Sequence, residues 1–454
     1  MSTGPLLGLE LQSHAPLGLQ IERQIRELIR SRSLGRGAAL PSTRALAADL
    51  GVSRGVVVRA YSQLAAEGYI RLRRGASPLV AAEAREPEEI LFQGDVPIAG
   101  ARFNLRPDLP DLALFPRAEW IAASRASLQR AANTDLAYGE PFGAARLRRQ
   151  LAPFLARTRG VVATADRTSV LAGSSQVLFV LASVLRSWGV ARIGVEDPGH
   201  RWRTNALRAS GLEVVPVPLD EEGLRVDRFG DLAAVVVSPE HHFAAGVSLS
   251  PARRRELVEW AVAGDRLVIE HDYDGHFRHD RLHPGALKGL APEHVAYVGT
   301  ASALLAPTLR LGWAVLPVRL AEPLASQAFG IGLSAPRLSQ LALAELIERG
   351  RLDRHLRKAR AAYRRRREVL VEELGRRLPG VEVRGASAGL HVTALLPEGI
   401  DEAEVLRAAR ACGFALDGVN ENALVPRPPG LILGFGAEPE PTLRRAVGEL
   451  AALV

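Results

Sequence analysis

Two segments of this 454-residue chain combine side chains that can hold an anionic ligand. Ser302 is followed eight residues later by Arg310, and a planar guanidinium pairs with phosphate or carboxylate oxygens through two parallel hydrogen bonds. Ser175 and Gln176 follow Gly173 at the start of an apolar run typical of a helix, where free backbone N–H groups attract anions. The start of this apolar run therefore predicts an anion site, and Arg310 is a residue type suited to the same kind of ligand. The alternatives are a buried ion pair for Arg310 and simple helix capping for Ser175 and Gln176.

Histidine and carboxylate side chains form a second group that could take part in chemistry or bind a metal. Seven of the 11 histidines fall within residues 200–283, namely His200, His241, His242, His271, His276, His279 and His283. The last three have helix-compatible spacing and lie near Asp272 and Asp280, and imidazole with carboxylate is a metal-ligand set. The segment has the character of a loop, however, and its spacing matches no known metal signature. We therefore expect no metal site in this segment.

A Schiff base with an aldehyde is formed by a lysine side chain, and lysine is scarce in this chain. Of 58 basic residues only Lys288 and Lys358 are lysines, and their surroundings predict an exposed turn and an exposed arginine-rich helix.

Cys412 is the only cysteine, which excludes an internal disulfide and favours a reducing compartment. No apolar run reaches the roughly 18 residues of a membrane helix, and the first ten residues lack the features of a secretion signal. We expect a cytoplasmic protein that does not contact membranes.

The positive charge is concentrated at the start of the chain. Residues 1–82 contain 11 arginines and 5 acidic residues, a net +6 of the total +8, so residues 83–454 carry only +2. A small basic module on a nearly neutral body indicates that the module binds a polyanion.

The periodicity of this module predicts three helices and two short strands. Pro16 to Leu34 has apolar residues at helical spacing (Leu19, Ile21, Ile25, Leu28 and Ile29), Thr43 to Leu50 follows Pro41 and Ser42, and Ser53 is a suitable N-cap for Arg54 to Ala66. Tyr69 to Val80 reads as two strands around a turn. This order predicts a winged helix-turn-helix over residues 14–82, followed by a linker over residues 83–102. Twenty flexible residues span roughly 25 Å, enough to place the module on a neighbouring subunit.

The segment from Leu40 to Tyr69 resembles the GntR family of winged-helix DNA-binding domains. This resemblance implies operator DNA as the partner, with the recognition helix beginning at Arg54. The residues expected to contact DNA are Ser42, Arg44, Ser53, Arg54, Arg59 and, at the tip of the wing, Arg73 and Arg74. A solvated surface is the alternative for each arginine. Val56 stands where the family often has a polar residue, which suggests contact with a thymine methyl group or lost specificity.

Residues 103–454 alternate helices with short apolar runs, which predicts an α/β domain with a mainly parallel sheet and helices on both faces. The predicted strands are Arg192–Glu196, Val214–Pro218, Ala233–Ser238, Leu267–Ile269, Val295–Gly299 and Trp313–Leu316. A large part covers about residues 135–335. The long helix Leu352 to Leu374 then leads into a small α+β subdomain over about residues 350–454. The arginine runs at 253–255 and 364–367 are expected to face solvent.

This body resembles class I/II aminotransferases of fold type I, and the whole layout resembles MocR-type regulators. The segments that carry the resemblance are 114–116, 138–143, 173–176, 196–199, 238–241, 272–274 and 299–312. By resemblance, Arg310 and Ser302 match donors to the phosphate of pyridoxal phosphate (PLP), and Tyr273 matches the donor to its phenolic oxygen. His241 is also expected from this resemblance.

The same resemblance exposes four departures from the PLP pattern. The lysine that forms the Schiff base is Ala303, the acid that pairs with the pyridine nitrogen is His271, the ring-stacking aromatic is His200, and the arginine that grips a carboxylate is Ile432. An alanine forms no Schiff base, and an imidazole does not stabilise a protonated pyridine as a carboxylate does. We expect no catalytic residues and no covalent cofactor, with PLP bound at most non-covalently.

We therefore predict a homodimeric DNA-binding regulator with a catalytically inactive, aminotransferase-like body that dimerises and senses a small-molecule effector. The DNA-binding modules are expected to lie against the partner subunit. One alternative is an enzyme that uses PLP without a lysine or has repurposed the histidine-rich pocket. Another is a purely structural dimer whose pocket is vestigial.

Overall fold

The computed structural model describes residues 7–12, 15–73, 75–82, 100–280, 284–385 and 387–454. The chain divides into two compact units, Met1–Gly94 and Asp95–Val454. The predicted linker lies almost wholly outside the described residues, as do Arg74 and His283. Within the described ranges, no helix is long and apolar enough to cross a membrane.

The first unit has the predicted order of three helices and a two-stranded antiparallel sheet. Its elements are α1 (Leu17–Arg30), α2 (Thr43–Asp49), α3 (Arg54–Ala66), β1 (Ile70–Arg73) and β2 (Ala76–Val80). Ser42 caps α2 by accepting a hydrogen bond from the Ala45 N–H at 3.1 Å. Ile21 and Ile25 of α1 pack with Tyr61 of α3 in the core. Leu19, predicted to lie on this apolar face, is instead 61% exposed because it falls outside the stripe set by the isoleucines.

The second unit contains a large sheet, a small sheet and helices around both. Its helices are α4 (Arg117–Arg130), α5 (Ala145–Arg159), α6 (Ser174–Ser187), α7 (Arg201–Ala209), α8 (Pro251–Ala263), α9 (Val318–Gly330), α10 (Arg337–Glu348), α11 (Arg351–Arg377), α12 (Glu402–Ala411) and α13 (Glu440–Leu450). Its strands are β3 (Phe103–Asn104), β4 (Thr168–Leu171), β5 (Arg192–Asp197), β6 (Glu213–Asp220), β7 (Gly223–Leu224), β8 (Ala234–Val237), β9 (Leu267–Asp272), β10 (Val295–Thr300), β11 (Gly312–Val315), β12 (Glu382–Arg384), β13 (His391–Leu395), β14 (Phe414–Ala415), β15 (Asp417–Gly418) and β16 (Gly430–Gly434).

The large sheet has the strand order β4-β11-β10-β9-β8-β5-β6-β7. Neighbouring strands from β10 through β6 are parallel, whereas β11 runs antiparallel to β10 and β4. All six predicted strands are present, and the mainly parallel sheet is confirmed. Along β10, Ala296 and Val298 pack in one apolar cluster with α6 and α9, while Tyr297 packs on the other side with α5 and α10. Helices therefore cover both faces of the sheet.

The small sheet, with the order β12-β13-β16-β15, is antiparallel and forms the C-terminal subdomain. The long helix α11 leads into it, as predicted, and packs on α13. Because parallel strands end at one edge of a sheet, the loops after β5, β8, β9 and β10 meet there. Four of the eight predicted pocket residues, His200, His241, Tyr273 and Ser302, follow these strands.

Candidate ligand pocket and nucleic-acid interface

One half of the pocket is assembled around Arg310 and the start of α6. Arg310 precedes β11 in the left-handed conformation, with φ 49° and ψ 49°. Its guanidinium lies 3.6–3.7 Å from the point where a Cβ on Gly173 would stand, so glycine leaves room for this approach. The first N–H groups of a helix have no partner within the helix, and the guanidinium lies beside them. Exposed cation and helix terminus together form an anion-binding arrangement, which we call the anion half.

The other predicted residues of this half, Ser175, Gln176 and Ser302, differ in the contacts that they make. Ser302 is half-buried, and its hydroxyl accepts a hydrogen bond from the Thr300 hydroxyl at 3.0 Å. Ser175 is half-buried in the first turn of α6. Gln176 folds back, because its amide oxygen accepts the Ala172 N–H at 3.2 Å. The Gln176 contact matches the alternative of local capping, while Ser175 and Ser302 remain predicted contacts of the anion.

The other half of the pocket is a cluster of rings formed by His200, Trp202, Phe243, His271 and Tyr273, which we call the ring half. His200 stacks on Phe243 with ring centroids 3.7 Å apart and lies edge-on to Tyr273 at 4.7 Å. The His271 ring is 5.4 Å from Trp202 and 6.1 Å from His200. Carbon atoms in contact are about 3.5–4 Å apart, so the stacked His200 and Phe243 rings touch and leave no room for another ring between them. The remaining pairs meet edge to face, and the cluster is packed against itself.

The residues present do not fit PLP. Ala303 is buried and supplies no amine, and Ile432 lies in an apolar cluster with Phe243, Ala244, Tyr273 and Val419. The Tyr273 hydroxyl already donates a hydrogen bond to the His241 carbonyl oxygen at 2.9 Å. His200, at the stacking position, has Phe243 as its own stacking partner. The positions that would bond, stack on and clamp the cofactor therefore hold residues that are buried, apolar or already paired within the protein.

His271 differs electrostatically from the acid it replaces. Burial, followed by the nearby Arg203 charge, lowers the pKa of His271 to about 3. Neither ring nitrogen of His271 has a hydrogen-bond partner among the described residues. The side chain is therefore neutral near pH 7 and offers no negative charge to a protonated ligand ring.

A polar vestibule of about 230 Å³ opens beside the ring half, where His200, Trp202 and Phe243 form its apolar wall. The rest of its lining is charged or polar and comprises Arg106, Asp108, Arg201, Arg410, Asp417, Glu421 and Asn422. Burial, followed by the neighbouring Asp108 charge, raises the pKa of Asp417 to about 6. The vestibule thus presents charges of both signs and is large enough for a small polar molecule.

The first unit exposes basic side chains at the start of α3. Val57, Ala60 and Tyr61 face the core, which leaves Arg54 and Arg59 on the solvent side with the exposed Val58. Arg54 Nε donates to Thr43 Oγ1 of α2 at 3.3 Å, and this contact joins the two helices of the motif. Arg44 and Arg59 form no ion pair within the described part of the unit. Cations without acidic partners remain available to a polyanion.

The other residues predicted at the DNA interface differ in their exposure and hydrogen bonding. Arg73 and Ser42 are exposed, as contact with a nucleic acid requires. Ser53 is exposed at the N-cap position of α3, but its side chain accepts no capping hydrogen bond from any described residue. Val56 is half-buried and faces Gly18 of α1, because its position on α3 points toward the helix bundle. On the solvent side of α3, which carries Arg54 and Arg59 and which we call the reading face, the exposed apolar residue is Val58.

Comparison with known proteins places both units. Residues 17–80 match the family described as bacterial regulatory proteins, gntR family, and residues 111–412 match aminotransferase class I and II. The chain is 33% identical over 461 residues to the HTH-type pyridoxine biosynthesis transcriptional regulator PdxR of Corynebacterium glutamicum, covering 99% of this chain and 98% of that protein. It is 27% identical over 471 residues to the probable rhizopine catabolism regulatory protein MocR of Rhizobium meliloti, covering 98% and 95%. This chain belongs to the MocR-type transcriptional regulators.

The body of this MocR-type regulator is also similar to solved aminotransferases. The multiple substrate aminotransferase from Thermococcus profundus superimposes with a TM-score of 0.72 at 27% identity, covering 78% of this chain and 91% of that enzyme. This similarity confirms the fold-type-I architecture predicted for the body. A GntR-type helix-turn-helix on this body also implies DNA binding.

The position of Lys288 in the MocR-type body shows that one prediction was wrong. Lys288, expected in an exposed turn, is fully buried, and its ammonium donates to the carbonyl oxygens of Pro292 and Val295. Burial lowers the pKa of Lys288 to about 7. Val295 begins β10 and Thr300 ends it, so Lys288 lies roughly 16 Å from the Ser302 edge of the sheet. Lys288 therefore does not replace the missing lysine, and Lys358 is exposed as predicted.

A buried charge network behind the pocket was not predicted. Asp272 receives hydrogen bonds from Arg159 Nε at 2.6 Å and from the Tyr297 hydroxyl at 2.8 Å. Burial, the largest single influence, would raise the pKa of Asp272, but the charges of Arg159 and His276 and the hydrogen bonds from Arg159 and Tyr297 together outweigh it and lower the pKa to about 2. Glu240 pairs with Arg254 at 3.3 Å and with two further arginines, Arg159 and Arg278. Arg254 is therefore buried although its arginine run was expected to face solvent, and the same holds for Arg366, which pairs with Asp111.

Proposed function

We propose that this regulator binds operator DNA as a homodimer and that its aminotransferase-like body performs no Schiff-base chemistry. The observation that carries the second part is the buried Ala303 at the lysine position, next to a ring half packed against itself. The body then serves for dimerisation and for sensing a small molecule. A regulator of this kind acts where the chromosome is, which supports a cytoplasmic location.

The proposed contacts with DNA divide into two kinds. Arg54 and Arg59 stand on the exposed face of α3, the helix expected to enter the major groove, where arginine reads guanine edges. Arg44, Ser42, Ser53 and Arg73 lie on flanking elements and suit phosphate oxygens, which position the protein without reading sequence. The proposal for Arg74 rests on the sequence alone.

Dimerisation is supported by apolar side chains on the surface of the body. Helices α4 and α10 pack together and expose Ile121, Leu128 and Leu338. Tyr138, in the segment shared with the aminotransferases, is 98% exposed. Large exposed apolar side chains that cluster on one surface mark interaction sites. We propose that this surface is covered by the partner subunit and that the DNA-binding modules lie against that partner.

The proposed effector is a small molecule with a negative group. Arg310 and the start of α6 would hold that group, with Ser175, Gln176 and Ser302 nearby, and the vestibule would take a polar remainder. His200, His241, His271 and Tyr273 would form the wall on the ring side. An effector changes DNA binding only if it binds one arrangement of the dimer better than another.

DNA binding is tested by selecting sequences from a random pool with the full-length protein and then measuring affinity in a gel shift at fixed salt. We expect two half-sites, because a dimer presents two modules. Arg54→Ala should weaken binding to the selected site by about 1–3 kcal/mol. Arg208→Ala, an equal charge change on the body, is the control and should leave affinity unchanged. Equal affinity of wild type and Arg54→Ala would contradict the proposed reading face.

A further inference from the structure

Three buried side chains beyond the ring half come together at the junction of the large sheet and the small sheet. His241 follows β8, Asp274 follows β9, and His391 begins β13 of the C-terminal subdomain. His241 and His391 are at most 1% exposed, and Asp274 is 2% exposed. One ligand atom from each of the three side chains lies within 4.8 Å of the other two. We refer to His241, Asp274 and His391 as the junction triad.

The hydrogen bonding of the triad is incomplete. His241 Nδ1 lies 3.0 Å from Asp274 Oδ2, but His241 Nε2 has no partner among the described residues. The Pro107 carbonyl approaches His391, which still leaves at least one of its ring nitrogens without a described partner. A buried polar atom without a partner costs about 1–3 kcal/mol. The two imidazole rings lie 4.3 Å apart, so these nitrogens share one small space.

The ion pairing of the triad is also incomplete. Asp274 contacts His241, whereas no arginine or lysine of the described chain pairs with it. Arg278, the nearby cation, is paired with Glu240 and Asp280. Asp274 is therefore buried without a cationic partner among the described residues.

The backbone around the triad is fitted closely to it. Gly389 has φ +80°, and a Cβ at this position would collide with His241 Nδ1 and Asp274 Oδ2. Glycine at 389 therefore keeps this space free of side-chain atoms.

We propose that the junction triad is a binding site for a zinc-class divalent cation, with His241, His391 and Asp274 as ligands. Two imidazole nitrogens and one carboxylate oxygen form a common ligand set for such ions, and a fourth position would take water or an effector atom. The ion would engage the unpartnered nitrogens and balance the charge of Asp274. Because His391 belongs to the small sheet and the other ligands to the large one, the ion would join the two subdomains.

The test uses chelator-treated full-length protein titrated with Co2+, whose visible absorption reports low-symmetry coordination. The wild type should saturate at one Co2+ per chain, and Zn2+ should displace it and raise the melting temperature. His391→Gln and Asp274→Asn should each weaken Co2+ binding at least about tenfold. His355→Gln replaces a buried histidine that pairs with the Leu304 carbonyl, and it is the control that should bind as wild type does.

Two outcomes would overturn the proposal. A wild-type protein that develops no Co2+ absorption at one equivalent and gains no stability from Zn2+ has no site, whatever the variants do. Variants that fold by circular dichroism and bind Co2+ as tightly as wild type place the ion elsewhere. Because DNA binding is measured separately, neither outcome affects the proposed regulatory function.

Discussion

The two halves of the pocket differ in how they have departed from an aminotransferase site. The anion half keeps an exposed arginine beside a helix N-terminus, and this arrangement is built mainly by the backbone and by Gly173. The ring half has replaced an acid, an aromatic residue and a lysine, and it is filled by His200, Phe243 and Tyr273. Of the side chains that a cofactor ring would use, Tyr273 is kept but already bonds the His241 carbonyl, while a general anion site and the surrounding frame remain.

The largest expected effect concerns the frame, which both halves share. Asp272→Asn removes the closer charge partner of the buried Arg159 and leaves only Glu240 at 3.4 Å, so we expect a loss of about 3–5 kcal/mol in the free energy of unfolding at pH 7. The Asp272 pKa is about 2 in the folded state, so its contribution is complete at this pH and is lost only as the pH falls toward 2. Asp353→Asn, which breaks a largely exposed pair with Arg157, is the control and should cost less than about 1 kcal/mol. Equal losses in urea unfolding would contradict a buried network.

The second prediction concerns the anion half. Inorganic phosphate should raise the melting temperature of the wild type, and the stabilisation reaches about 2.7 kcal/mol at one hundred times the dissociation constant. Arg310→Gln should lose most of this gain, whereas Arg208→Gln should keep it. The arginines of the first unit also attract phosphate, but they contribute equally to all three proteins. An unchanged gain in Arg310→Gln would show that this half does not bind anions.

The third prediction concerns the ring half. His271 is neutral in the folded protein, with a pKa of about 3, and becomes charged on unfolding below about pH 6.5. Stability from this residue is therefore lost as the pH falls, by about 1.4 kcal/mol between pH 7.5 and 5.5. His271→Leu should reduce the measured difference by that amount. Glu270 and Asp274, whose pKa values burial raises to about 7, act in the opposite direction in both proteins and cancel. An undiminished difference would mean that His271 is not buried.

The smallest expected change is the spectral one from restoring a lysine. Ala303→Lys supplies an amine, but the packed rings and the neutral His271 remain, so we expect no aldimine absorbance with added PLP. Thermal melting verifies that the variant is folded. An aldimine band would show that the lysine alone was missing and that the ring half opens.

How much of this could be predicted depends on how local each signal is. The sequence predicted α3 with its observed bounds and all six strands, because periodicity and apolar runs are local features. Burial of Lys288 and Arg254 could not be predicted, since each is determined by partners distant in sequence or by a backbone turn. The junction triad brings together residues separated by up to 150 positions, and no spacing rule reveals such a set. The collapse of the ring half depends on Phe243, whose contact with His200 is equally non-local.

The measurement that tests the central claim most directly is an absorbance titration of the wild-type protein with PLP, followed by borohydride reduction and peptide mapping. A ring half without a lysine predicts no aldimine band and no stoichiometric adduct, whether or not the anion half retains phosphate. One PLP fixed per chain at a single lysine would contradict the account, because the body would then still perform Schiff-base chemistry.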